Sequence, residues 1–224
     1  MAELITITGT TGSGKSRSTK NLDPETTFIA TTIGRSLPYK GWKSMYNTEK
    51  KNYAKANTYQ KLFQVLKHVN DNKKFKVLII DDIDYLMKME LFKRATEGGY
   101  SKFTEIAKHM QELLEFIDTK LRDDLIVFVM FHEELVLIDG YKPSRTVQLP
   151  GKMIKEKFHP FELTNISLFT EVEYNKEGEP TYYFRTTRSE TCEGAKSPEG
   201  MFESGLIPND LSIVVEKVRE YETA

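Results

Sequence analysis

The sequence predicts an α/β fold: a mostly parallel central sheet flanked by helices, with a C-terminal antiparallel hairpin extension. Three observations lead there. Short continuous apolar runs alternate with longer stretches whose apolar residues recur at helical spacing, as expected of strands covered on both faces by helices. The stretch GTTGSGKS, Gly9 to Ser16, directly follows the first apolar run. Late in the chain, two strand-like runs are joined by the turn sequence Asn175-Lys176-Glu177-Gly178-Glu179-Pro180.

Leu4 to Thr8 is the first strand and Thr27 to Thr31 the second; the polar, aromatic-containing segment from Gly34 to Tyr53 reads mostly as loop. From Thr58 to Val69, Leu62, Phe63, Val65, Leu66 and Val69 fall at helical spacing. Lys76 to Ile80 is a third strand. Between Ser101 and Leu121, Phe103, Ile106, Met110, Leu113, Leu114 and Ile117 share one helical face, and Leu125 to Phe131 is a fourth strand. Right-handed crossovers through these helices give a parallel, doubly wound core. Leu168 to Tyr174 and Tyr182 to Thr187 form the hairpin, and Asn209-Asp210 caps a last helix carrying Leu211, Val214, Val215 and Val218.

The 224 residues suit a single domain spanning 1–224. With a net charge of −1, affinity for nucleic acid has to come from a local patch. The one cysteine, Cys192, forms no internal disulfide and no Cys/His set has zinc spacing, which points to a reducing cytoplasm. The longest apolar run, Leu125 to Phe131, is far shorter than the ~20 residues of a membrane span, so no membrane partner is expected.

GTTGSGKS matches G-x-x-x-x-G-K-[S/T] in full. Such a turn aims successive backbone N–H groups inward as an anion cradle, with a helix N-terminus behind it, and glycine is needed where the backbone bends with positive φ or approaches a phosphate. Gly9, Thr10, Thr11, Gly12, Ser13, Gly14, Lys15, Ser16 and Arg17 are the candidate nucleotide-binding residues. Lys15 would reach the β- and γ-phosphates and Ser16 would offer its hydroxyl to Mg²⁺.

A second acidic site completes such a cradle. Val77-Leu78-Ile79-Ile80-Asp81-Asp82 puts Asp81 at the carboxyl end of a buried strand, where ligands of α/β sheets bind. Asp81 is the candidate for holding Mg²⁺ through water, and Asp82 for orienting or deprotonating the attacking water. The fourth strand ends in His132-Glu133-Glu134: His132 is placed to sense a γ-phosphate, and Glu133 competes with Asp82 as the base.

With these motifs at 9–16 and 77–82 and His132 on the following strand, the chain resembles the RecA-like branch of P-loop ATPases. More narrowly, GRSLPYKGW (Gly34 to Trp42), Leu149 to Lys152, AKSPEGMF (Ala195 to Phe202) and IPNDL (Ile207 to Leu211) look like the small phage-encoded RecA-like ATPases, an AAA-type family that includes single-strand annealing recombinases. The resemblance implies a strand inserted between the two motif-bearing strands, ATP and Mg²⁺ as cofactors, assembly into a ring or filament, and action on single-stranded DNA in the cytoplasm of a host cell. One departure stands out: RecA proper carries a catalytic glutamate after its second strand, and Ala30-Thr31-Thr32-Ile33-Gly34-Arg35 has none.

The resemblance also places Asp84 to Lys102 and Asp139 to Lys157 as loops facing DNA. The second holds five basic residues against two acidic ones. Lys142, Arg145, Lys152 and Lys155 are its candidate nucleic-acid contacts, with Tyr141 as a stacking surface. Arg145, Lys152 or Lys155 is alternatively a finger reaching a neighbouring subunit's γ-phosphate. Two rival functions use the same cradle: a small-molecule phosphotransferase, and a nucleotide-dependent switch or motor subunit acting through a protein partner.

Overall fold

The computed structural model describes residues 2–138, 140–151 and 158–223. In these, six parallel strands run in the order β3 (Tyr53–Lys55), β2 (Thr27–Thr31), β4 (Val77–Asp81), β5 (Ile126–Ile138), β1 (Glu3–Gly9), β7 (Ile166–Tyr174). The sheet continues antiparallel through β8 (Pro180–Arg185) and β9 (Leu206–Pro208), and β6 (Lys142–Val147) pairs with the far end of β5. The expected α/β architecture, with its C-terminal hairpin, is therefore present. β5 lies between β1 and β4.

The continuous apolar runs follow from two-sided burial. Successive strand residues face opposite sides, so Leu4, Phe28, Ala30, Leu78, Ile80, Val127 and Val129 enter one core while Ile5, Ile7, Ile29, Val77, Ile79, Phe128 and Met130 enter the other. Three helices cover the first face: α2 (Tyr59–Asp71), α3 (Asp84–Lys93) and α4 (Ser101–Lys120). The second face is closed by Leu22, Leu37, Tyr46 and the C-terminal helix α5 (Leu211–Thr223), through Leu211, Val214, Val215 and Val218. Each such side chain contributes about 1.5–3 kcal/mol by leaving water. Thr58 caps α2, its hydroxyl accepting from the Lys61 amide at 3.2 Å. Asp210 performs the same task for α5, accepting from the Ser212 amide at 2.9 Å.

Gly34 to Tyr53 is mostly loop, as expected, with a short helix, α1 (Trp42–Met45), and leads into β3, which pairs with β2. Three local expectations are corrected. Asp84 to Lys102 is no open loop, because α3 begins at Asp84 directly after β4. The fourth strand does not stop at Phe131; β5 runs on to Ile138 and pairs antiparallel with β6, so Lys142 to Val147 of the expected loop is one arm of a hairpin. Finally, the cradle is followed by a six-residue 3-10 helix, Ser16–Asn21, in place of an α-helix. The sequence explains this: the Ser18 and Thr19 hydroxyls bond back to the Lys15 and Ser16 carbonyls at 2.5 and 2.8 Å, and Asp23-Pro24 stops the chain soon after. A full helix dipole is thus missing behind the loop, and its positive character comes from loop amides and Lys15.

Candidate nucleotide site

Parallel pairing brings the polar strand ends to one edge of the sheet. Gly9 of β1 is in register with His132 of β5, and Asp81 of β4 with Thr31 of β2. The residues that follow these ends line a cleft of about 480 Å³: Thr10 to Gly12, Gly14 to Arg17, Arg35, Ser36, Pro38, Asp81, Asp82, His132 and Tyr182.

Close packing fixes the loop. A Cβ on Gly9 would fall 1.8 Å from the Thr170 hydroxyl and 2.6 Å from that of Ser13, so no side chain fits there. Gly14, at φ +105°, presses against Asn209 and Tyr182. Ser13 is buried, its hydroxyl 2.6 Å from the Thr170 hydroxyl and donating to the Thr10 carbonyl at 2.7 Å. Thr10, Thr11 and Gly12 form the exposed crest, and the Arg17 guanidinium lies 4.5 Å from the centre of the Tyr182 ring.

Lys15 is 6% exposed and donates to the carbonyls of Gly9 at 2.6 Å and Thr10 at 3.0 Å. Burial lowers its pKa from the ordinary lysine value, partly offset by Asp82 and Asp81. Ser16 donates to Asp81 Oδ2 at 2.8 Å, which joins the first motif to the second. The other oxygen, Asp81 Oδ1, is buried with no hydrogen-bond partner among the described residues. Desolvation, reinforced by the charge of Asp82, pushes the Asp81 pKa up to about 6. Asp82 is also raised, chiefly by burial. Its backbone sits at φ +58°, pinned by the Thr32 hydroxyl, which donates to the Asp82 carbonyl at 2.6 Å. For a non-glycine residue this is an uncommon, costly conformation, of the kind that concentrates at functional sites.

Asp84, which sequence reasoning did not assign, organises the other side of the cleft. Fully buried, it holds His132 Nδ1 at 3.0 Å and also accepts from Lys88. Burial alone would raise its pKa, but the bonds from His132 and Lys88 outweigh that and hold it below the usual carboxylate range. His132 Nε2 consequently points at Asp82, 3.5 Å from Oδ1. Asp82, Asp84 and His132 bring potential ligand atoms within 4.8 Å of one another. Because Asp84 and His132 Nδ1 already satisfy each other, the trio reads as a device that orients the imidazole.

The remaining sequence candidates separate from the cleft. Glu133 is gripped through both oxygens by Arg145, at 2.8 and 2.7 Å, and Arg145 also donates to the Thr170 carbonyl at 2.6 Å. Lys142 stands on the projecting hairpin with Glu193 at 3.3 Å. Lys152 and Lys155 lie outside the described residues. Besides Asp84, sequence reading missed Arg35, Thr170 and Tyr182. The third acid of Asp81-Asp82-Ile83-Asp84 was a visible signal for the first, whereas the others reach the loop only through sheet pairing. Comparison with family models and with curated proteins gives no match.

Proposed function

We propose that the chain is a Mg²⁺-dependent, ATP-binding and ATP-hydrolysing protein of the RecA-like P-loop kind, acting on single-stranded DNA in phage-type recombination or annealing as a ring or filament. The observation that carries the nucleotide reading is the meeting of Lys15, the Ser16–Asp81 pair and His132 at the carboxyl edge of parallel strands. A strand between the two motif-bearing strands agrees with the RecA-like branch.

The residues fit the metal. A hydroxyl and a carboxylate oxygen are hard donors of the type Mg²⁺ takes, and the partnerless Asp81 Oδ1 is a buried acceptor in need of a cation or water. Ser16 and Asp81 would hold Mg²⁺, which when bound supplies positive charge to the phosphate oxygens. The chain's own groups supply the rest. Loop amides and Lys15 neutralise phosphate charge. Asp82, with its affinity for protons raised, accepts a proton from a positioned water, and His132, fixed by Asp84, faces the same point. Glu133 is less suited to act as base, because both its oxygens are occupied by Arg145.

That engagement also favours a second reading, a nucleotide-dependent switch with little turnover. The DNA part of the proposal rests on the hairpin β5–β6, whose tip exposes Tyr141 beside Lys142. Phosphate release with and without single-stranded DNA, with particle size followed in parallel, tests these readings. DNA-stimulated release with growth in size is expected; transfer to a small acceptor without assembly would contradict it, and binding without turnover would favour the switch.

A further inference from the structure

We propose that Arg35 reads the terminal phosphate from within the same chain, making the cleft selective for nucleoside triphosphates over diphosphates. This rests on the nucleotide reading of the cleft. Arg35 follows β2, and β2 is bonded to the acid-bearing strand where the acids stand: the Thr32 amide donates to the Asp81 carbonyl at 3.2 Å, and the Thr32 hydroxyl to the Asp82 carbonyl at 2.6 Å. The chain then turns at Gly34, whose amide donates to the Thr31 hydroxyl at 3.1 Å and whose φ is +74°. A Cβ at Gly34 would lie 2.8 Å from Lys55 Cδ, so the turn is held from behind. Arg35 emerges from this fixed turn into the cleft wall, in company with Lys15, Ser16, Asp81, Asp82 and His132.

Among the described residues its guanidinium has no hydrogen-bond or ion-pair partner. The other arginines close to the sheet edge are consumed: Arg145 by Glu133, and Arg185 by Glu171 at 2.6 and 2.8 Å. Among the described residues no carboxylate pairs with Arg35, although its field reaches Asp82 and favours that group's charged form. Arg17, which also lines the cleft, lies over the Tyr182 ring. Arg35 shares the cleft wall with Lys15, which the nucleotide reading places at the terminal phosphates, and with Asp82, whose charged form its field favours. A γ-phosphate adds negative charge and three acceptor oxygens, and a planar guanidinium suits them.

Equilibrium binding of a non-hydrolysable ATP analogue and of ADP, to the full chain and to Arg35→Ala and Arg35→Lys, tests this. Because Arg35 is exposed, these variants are expected to keep the wild-type unfolding midpoint. The expected result is a triphosphate preference in the wild type that falls on the order of tenfold or more in Arg35→Ala, with ADP affinity unchanged and a partial return in Arg35→Lys. The preference should not vary with protein concentration. Equal weakening of both nucleotides, an unchanged ratio, or a preference that emerges only as chains associate would overturn the proposal. If the wild type binds neither nucleotide, the cleft reading itself fails.

Discussion

The two halves of β5 have opposite surroundings. From Ile126 to Phe131 every side chain is buried and the strand is flanked by β4 and β1. Beyond Glu133 its pairing partner is β6, and Leu135 and Leu137 are 66% and 60% exposed. The change falls at His132 and Glu133, one residue reaching into the cleft and the other holding the base of the hairpin through Arg145. The buried half sets position and tolerates little alteration; the projecting half leaves surface free for a partner. A group at the junction takes its geometry from the first.

Arg145→Ala should break this comparison most severely. It removes the partner of Glu133, whose side chain is 7% exposed, and an unpaired buried charge of this kind costs about 3–5 kcal/mol. Urea unfolding checks this, and Glu133→Leu combined with Arg145→Met should recover most of the loss. Arg145 is accordingly a poor probe of DNA contact. Gly9→Ala follows at about 2–3 kcal/mol, because its Cβ meets Thr170 and Ser13 in the tightly packed region. The same variant should lose nucleotide binding in fluorescence titration.

A smaller effect has the opposite sign. With its pKa raised to about 6, Asp81 binds its proton more tightly in the folded chain than in the unfolded one. Its stabilising contribution is therefore full below the unfolded value, near pH 4, and is lost as pH rises through about 6. Asp81→Asn in chelator should be more stable than wild type by about 1–3 kcal/mol at pH 8, an advantage that shrinks toward pH 4. Asp84 runs the other way: its lowered pKa gives stability above the ordinary carboxylate value that disappears as pH falls below it. Differential scanning calorimetry across pH separates the two. The smallest stability change belongs to the projecting half, where Lys142→Ala should stay within about 0.5 kcal/mol. It should still weaken single-stranded DNA binding and reduce the salt slope by about 1.

β1, β2, β4, the first half of β5, α2, α4 and α5 were legible because two-sided burial writes itself as unbroken apolar runs and one-sided burial as helical spacing, as in Leu62, Val65, Leu66 and Val69. Lys15, Ser16, Asp81, Asp82 and His132 were legible because motif spacing and strand ends announce them, and all five line the cleft. The extension of β5 past Phe131 was hidden, since His132-Glu133-Glu134 read as the polar end of the strand until β6 is seen to pair with it and Arg145 to neutralise Glu133. Thr170 and Arg35 were hidden for a related reason: each reaches the site by cross-strand register, which a linear sequence does not display, whereas Asp84 was signalled by the run of acids from Asp81.

In the proposed nucleotide reading, the loop of Lys15 and the acid of Asp81 serve one metal–nucleotide complex. The most direct measurement is the affinity of a non-hydrolysable ATP analogue in saturating Mg²⁺ and in chelator, for wild type and Asp81→Asn. Mg²⁺ is expected to tighten binding to the wild type about tenfold or more, and Asp81→Asn to lose this gain while keeping the metal-free affinity supplied by Lys15 and the loop amides. An undiminished Mg²⁺ gain in Asp81→Asn, or none in the wild type, would contradict it.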